Sequence, residues 1–162
     1  MIARPPFPRD GALLFWRLDR ARHAAAWDSG EGAFRSGGRW NSRGVRAVYA
    51  ALDPATAILE VAVHRGFRVL DTEPHVMTAF HLPRLPHVLA PEALPNPHWL
   101  VPGIPSAGQQ AHGDALLAEH GAIAVPSVVS RHSWNLVFLP ARLAPALHGQ
   151  ERFALDPRLH PA

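Results

Sequence analysis

The chain has 162 residues and a formal net charge of +3, the size of a single domain with a sizeable core. It contains no cysteine, which excludes a disulfide framework, a thiolate nucleophile and a cysteine-ligated zinc. The longest apolar runs, such as Ala122 to Val125, are far too short to span a bilayer, and Met1 to Pro6 lacks the apolar stretch of a signal peptide. The expectation is a cytoplasmic protein with no membrane partner.

All 16 basic residues are arginine. Any phosphate or carboxylate gripped by a cation here therefore meets a guanidinium, which can form two parallel hydrogen bonds. Arginines at 17, 20, 22, 35, 39, 43 and 46 concentrate positive charge in the N-terminal third. A nucleic-acid surface and a pocket for a small phosphorylated ligand both account for that cluster.

In chain order, residues 1–11 are Pro-rich and read as extended. Leu13 to Leu18 reads as a strand, Ala21 to Trp27 as a short helix, and Gly30 to Gly44, with five glycines, as a loop. A strand from Arg46 to Ala50 follows. Asp53-Pro54 is a helix start, with Asp as N-cap and Pro at the first helical position. The recurrence of Ala55, Ile58, Leu59 and Ala62 predicts a helix to His64 or Arg65 with those residues facing the core. Val76 to Leu82 reads as a strand. Pro83 to Pro105 holds seven prolines and reads as irregular backbone with at most a short strand near Val88. Ser106 caps a helix running to His120 and ended by Gly121. Ala122 to Val125 and Asn135 to Leu139 read as buried strands. Mixed short strands with two or three helices point to an α+β fold.

Several residues offer chemistry. Gly37-Gly38-Arg39-Trp40-Asn41 combines a tight turn with a cation, a stacking face and an amide. Tyr49 is the only tyrosine. Glu60 lies off the predicted apolar stripe, yet its wheel neighbours Ala57 and Val61 are apolar, which suits a carboxylate bordering a cleft. Eleven histidines are scattered without His-Glu-x-x-His or another ligand spacing, so no metal is expected. There is no nucleophile elbow, dinucleotide fingerprint or P-loop.

Taken together, Phe15-Trp16-Arg17-Leu18, Gly32-Ala33, Gly37 to Asn41, Val48-Tyr49-Ala50, Ala57-Ile58-Leu59-Glu60 and Val125-Pro126-Ser127-Val128-Val129 resemble the RES domain. The match continues through Gly113-Asp114, Asn135 and Leu155-Asp156-Pro157-Arg158-Leu159, in order along nearly the whole chain. Leu139-Pro140 departs from the family's usual Asn-Pro, and Ala115 stands where a Trp is frequent. Pro83 to Pro105 matches least.

The resemblance implies one domain over 1–162 with an ADP-ribosyltransferase-like mixed β core and a few flanking helices. It implies a toxin of a toxin–antitoxin pair that degrades NAD+ at the nicotinamide–ribose bond. NAD+ is then the substrate and there is no cofactor; water, inorganic phosphate as co-substrate, or a protein side chain all remain open as acceptor. The implied catalytic residues are Arg17, Arg39, Tyr49, Glu60 and Ser127. Gly38, Trp40, Asn41 and Asn135 are candidates for substrate binding. The implied partner is a helix-turn-helix antitoxin covering the site, with a homo-oligomer inside that complex left open and no direct contact of the toxin with nucleic acid. ADP-ribosyl transfer to a protein, and a basic nucleic-acid-binding or RNA-cleaving domain, are the alternatives.

Overall fold

The computed structural model describes residues 2, 4–7 and 13–159. The extended reading of 1–11 lies mostly outside these; residues 2 and 4–7 belong to no helix or strand. Seven strands form one mixed sheet: β1 (Phe15–Arg20), β2 (Val48–Ala51), β3 (His75–His81), β4 (His87–Val88), β5 (Ala122–Pro126), β6 (Trp134–Phe138) and β7 (Ala146–Phe153). Their order is β4-β5-β6-β2-β1-β3-β7. Only the β4–β5 pair is parallel among the described strands. The helices are α1 (Glu31–Ser36), α2 (Pro54–Arg65), α3 (Phe67–Thr72) and α4 (Ala107–His120), with short 3-10 turns between.

Strand alternation sorts the core onto two faces. Phe15, Val48, Ala50, Phe80, Leu136 and Phe138 form a cluster on one face. The other face carries two clusters. Leu18, Ala51 and Met77 meet Ala57 and Ala62 of α2, while Ala47, Ile123, Val125 and Val137 meet Trp40 and Leu117 of α4. The two helix-covered clusters lie side by side, and a cleft runs between them.

Both long helices start and stop where local chemistry dictates. The Asp53 carboxylate accepts from the Thr56 N–H at 2.8 Å, with Pro54 following. The Ser106 hydroxyl accepts from the Gln109 N–H at 3.1 Å, and the helix ends at Gly121. The buried face of α2 differs from the predicted stripe: Ala57 and Ala62 pack inward with Ile58 and Val61, whereas Leu59 is 38% exposed. Rotating the stripe this way leaves Glu60 on the border between core and cleft.

Three elements depart from the expected layout. The glycine-rich stretch contains the short helix α1 rather than loop throughout. The six-residue helix α3 follows α2 directly. The strand β7 is exposed at six of its eight positions, an edge strand held by main-chain pairing to β3 from His75↔Phe153 to His81↔Ala146. The Pro-rich segment holds β4 and two 3-10 turns, at Pro91–Ala93 and Pro97–Leu100. Among the described residues no helix is long and apolar enough to cross a membrane.

Candidate active site

The cleft measures about 790 Å³ and is lined by residues of β1, β2, α2, the glycine-rich segment and the turn after β5. It opens where the sheet is narrowest in pairing: β1 and β2 share a single register pair, Trp16↔Ala51. Arg17, Arg39, Tyr49, Glu60, Gly38 and Asn135 all line it.

Glu60 is held at one oxygen. Its Oε1 accepts from the Ser127 hydroxyl at 2.9 Å and from the Asn135 amide. Asn135 reaches it from β6, opposite Ala51 of β2. Ser127 is itself fixed, because its oxygen accepts from the Val129 and Ser130 N–H groups at 3.2 and 3.1 Å. The other oxygen, Oε2, lies 3.8 Å from His64 Nε2, one helical turn on. The carboxylate side chain is 22% exposed, so it reaches solvent through the cleft.

The turn that carries Ser127 is tied to the helix that carries Glu60. The Ser133 hydroxyl donates to Asp53 Oδ2 at 2.6 Å, and Thr56 Oγ1 lies 2.7 Å from both Asp53 Oδ2 and Ser133 Oγ. Burial raises the Asp53 pKa, but the bonds from Ser133 and Thr56 outweigh it and hold the carboxyl below its ordinary range.

The opposite wall is built around Tyr49. Its hydroxyl donates to Asn41 Oδ1 at 2.7 Å and accepts from the Trp40 N–H at 3.0 Å. Burial pushes the phenol well above its ordinary value, so it stays protonated. The Asn41 amide donates to the Ala33, Ser42 and Val45 carbonyls, at 3.2, 3.0 and 3.1 Å. Asn41 is fully buried and Trp40 nearly so; both serve the wall's interior, with the Trp40 ring in the core under α4. Gly38 is needed for close approach, since a Cβ there would stand 2.5 Å from the Tyr49 hydroxyl. A Cβ at Gly113 would collide with the Trp40 carbonyl, which explains how α4 lies so near this wall.

The two arginines sit differently. The Arg17 fork is engaged by Asp19, from Nε at 2.6 Å and Nη2 at 3.0 Å, and its Nη1 donates to the Tyr49 carbonyl at 2.6 Å. Arg39 donates from Nη1 to the Trp99 and Val101 carbonyls at 3.1 and 3.4 Å, and from Nη2 to the Gly103 carbonyl at 3.0 Å. Of five guanidinium N–H donors, each arginine keeps two for a ligand. Burial lowers the Arg39 pKa, and attraction to Glu60 across the cleft opposes that shift.

Sequence reasoning missed three participants: Asp19, His64 and Gln110. Asp19 stands two residues after Arg17 and His64 four after Glu60, spacings that strand and helix periods place on one face. Gln110 donates to the Gly38 carbonyl at 2.8 Å from α4, without a local sequence signal; Asp114 of the same helix, part of the Gly113-Asp114 match, accepts from the Ser42 N–H at 3.0 Å. Among the described residues no group of three or more His, Asp or Glu is placed to hold a metal ion.

The RES domain family matches residues 14–158. A protein named Toxin Res from Pseudomonas putida is 33% identical over 135 residues, covering 79% of this chain and 85% of that one. A second Toxin Res, from Photorhabdus laumondii, is 28% identical over 130 residues, 79% of this chain and 82% of its own. A shorter match, 50% identical over 52 residues, is to a protein of a Sphingobium species named Prs ADP-ribosylating toxin; it covers 31% of this chain and 32% of that one. Among solved structures, the Mycobacterium tuberculosis MbcT–MbcA toxin–antitoxin complex contains a chain with the same fold. The TM-score is 0.70 at 23% identity, over 87% of this chain and 84% of that one.

Proposed function

The chain belongs to the RES domain family, and from that premise we propose that it is the toxin of a toxin–antitoxin pair that cleaves NAD+ at the nicotinamide–ribose bond. The observation that carries this reading is Glu60, a carboxylate pinned at one oxygen by Ser127 and Asn135 and open to a cleft lined by Arg17, Arg39 and Arg65.

Nicotinamide in NAD+ is already a cationic leaving group and needs no general acid. The C1′–N bond breaks, its electron pair goes to the nicotinamide nitrogen, and nicotinamide leaves neutral. Positive charge develops on C1′ and the ribose ring oxygen. Glu60 faces that charge and hydrogen-bonds the ribose hydroxyls. Because its geometry is fixed beforehand by Ser127 and Asn135, no reorganisation is needed as the charge forms. The free donors of Arg39 and Arg17 take the pyrophosphate oxygens. Tyr49, its hydroxyl bound back to Asn41 and Trp40, shapes the nicotinamide slot with its ring. Water or phosphate then adds to C1′ through oxygen, giving ADP-ribose or its 1″-phosphate, and the acceptor's proton passes to solvent.

The test is to mix purified, antitoxin-free protein with NAD+ and follow nicotinamide by chromatography, with and without phosphate. Release is expected, and the sugar product names the acceptor. Absence of release under both conditions overturns the reading. The name of the Sphingobium relative favours one second reading, ADP-ribosyl transfer to a protein; labelled NAD+ that decorates a protein band rather than yielding free ADP-ribose would select it.

A cytosolic NAD+-degrading enzyme requires restraint. A helix-turn-helix antitoxin is the proposed partner, one segment plugging the cleft near Arg39 with carboxylate-bearing groups. Burying a guanidinium unpaired costs several kcal/mol, so a blocking segment must offer acceptors. NAD+ and the antitoxin should exclude one another; simultaneous binding at full affinity would defeat occlusion.

A further inference from the structure

The Pro-rich segment, which matches the family pattern least, builds a second and smaller pocket. It measures about 280 Å³ and is lined by Asn96, His98, Trp99, Ser106 and Gln109, among others. It shares Arg39, Pro102, Gly103 and Ile104 with the main cleft. Arg39 is thus common to both cavities, and the three carbonyls that hold it belong to the rim of the second one.

We propose that this pocket takes the purine-nucleoside end of the dinucleotide, with Arg39 gripping the pyrophosphate between the two cavities. The proposal rests on the reading of the main cleft as an NAD+ site. Three observations carry it. First, the geometry of Arg39 is right for a bridge. Its Nη1 and Nη2 donors are fixed on main-chain carbonyls, and its Nε–H and the remaining Nη2–H are left as a pair, the arrangement that grips phosphate oxygens.

Second, the polar groups of the pocket are half used in a consistent way. Asn96 Oδ1 accepts from the His98 N–H at 2.9 Å, leaving its amide N–H₂ to donate. The Ser106 oxygen accepts from the Gln109 N–H, leaving its hydroxyl proton to donate. Gln109 spends its amide N–H on the Trp99 carbonyl at 3.1 Å. Purine ring nitrogens and ribose oxygens are acceptors, the complement of these free donors. Third, Trp99 is a half-buried ring backed by His112, with centroids 5.4 Å apart, and so offers a supported aromatic surface. Bases stack on such surfaces. The polarity of the substrate follows from charge: the cationic nicotinamide belongs beside Glu60 and not beside a guanidinium.

The test compares NAD+ with nicotinamide mononucleotide, which keeps the scissile bond and lacks the adenosine end. Trp99→Ala removes the ring but not the main-chain carbonyl that holds Arg39. It should raise KM for NAD+ about ten-fold and reduce the preference for NAD+ over the mononucleotide by the same factor. His98→Ala, at an exposed position, should act in the same direction by a smaller factor and guards against misfolding of the Trp variant. Calorimetry with AMP supplies the second arm: AMP should bind the unmodified protein and bind Asn96→Ala and His98→Ala more weakly. If NAD+ is cleaved but AMP does not bind and neither variant changes the preference, the pocket assignment falls and the NAD+ reading stands. If AMP binds through these residues while NAD+ is not cleaved, the NAD+ reading falls and the purine pocket stands.

Discussion

On one side of the cleft, Glu60 is held by side chains: Ser127, Asn135 and, behind them, the Asp53–Thr56–Ser133 cluster. On the other, Arg39 is held by main-chain carbonyls of Trp99, Val101 and Gly103. Under the proposed NAD+ cleavage, the first wall fixes a charge at one point against developing positive charge. The second lays a cation along a segment that carries its own pocket. The difference separates tasks. Substitutions on the Glu60 wall should act on turnover, because that interaction strengthens only in the transition state. Substitutions on the Arg39 wall should act on substrate binding.

The largest effect expected is from Glu60→Gln. The amide keeps the shape and loses the charge, so kcat should fall roughly 10²–10³-fold, equivalent to about 3–4 kcal/mol. KM for NAD+ should change little. A variant with near-normal turnover would place Glu60 among ordinary helix-surface residues and dissolve the contrast between the walls.

Next is Arg39→Lys. One ammonium cannot serve three carbonyls and a phosphate edge together. Losing charge-assisted bonds worth about 1.5–3 kcal/mol should raise KM for NAD+ roughly ten- to one-hundred-fold, with a smaller change in kcat. If kcat carries the loss instead, Arg39 acts on the transition state and the division of labour fails.

Asn41 and Gly38 sharpen the comparison from inside the second wall. Asn41→Ala strips Tyr49 of its acceptor and removes the amide that bridges the Ala33, Ser42 and Val45 carbonyls, a cost of about 1–3 kcal/mol. Gly38→Ala forces a methyl against the Tyr49 hydroxyl, and overpacking of this kind costs about 1–3 kcal/mol. Both should lower the melting temperature as well as NAD+ binding. Reduced binding with an unshifted melt would move Asn41 from the wall's interior into direct contact with substrate.

The Glu60 wall was largely legible in the sequence, and the Arg39 wall was not. Asp53-Pro54 is an end signal whose chemistry is local, so α2 could be placed from the residues alone; the Ser106…Gly121 signals did the same for α4, the one part of the other wall that was legible. Glu60 was identifiable as a cleft residue because Ala57 and Val61 flank it, although the core stripe is rotated and Leu59 stays exposed. Its partners Ser127 and Asn135 were within reach only through the ordered resemblance to a family. Arg39 was picked out for its charge, but its partners are carbonyls some 60 residues on, and main-chain acceptors leave no mark on residue type. The same blindness hid β7, whose pairing is main-chain and whose side chains are mostly exposed with no apolar alternation. Asp19 is hidden for a different reason: an arginine in sequence reads as a cation for phosphate whether or not a carboxylate two residues along its own strand engages it.

The smallest effect expected belongs to Asp53, and it is a pH effect. Its folded pKa lies below the ordinary aspartate value because Ser133 and Thr56 donate to the carboxylate. A carboxylate lowered on folding contributes stability that is fully present above the unfolded value, about 3.9, and is lost as pH falls through the folded value. Asp53→Asn separates the charge from the cap, since asparagine caps helices about as well as aspartate. At pH 7 the variant should therefore lose only the charge-assisted part, roughly 1 kcal/mol or less. Below pH 4 the two proteins should converge, as the wild-type carboxyl takes up its proton and the advantage disappears. Thermal melts of both from pH 7 to pH 3 measure this directly. A gap between the two that stays constant over that range would mean that Asp53 ties the Ser127 turn to α2 through shape alone. Turnover at pH 7 adds the functional readout: if the cluster sets the spacing between Glu60 and Ser127, Asp53→Asn should lower kcat slightly and leave KM alone, the signature of the first wall and not the second.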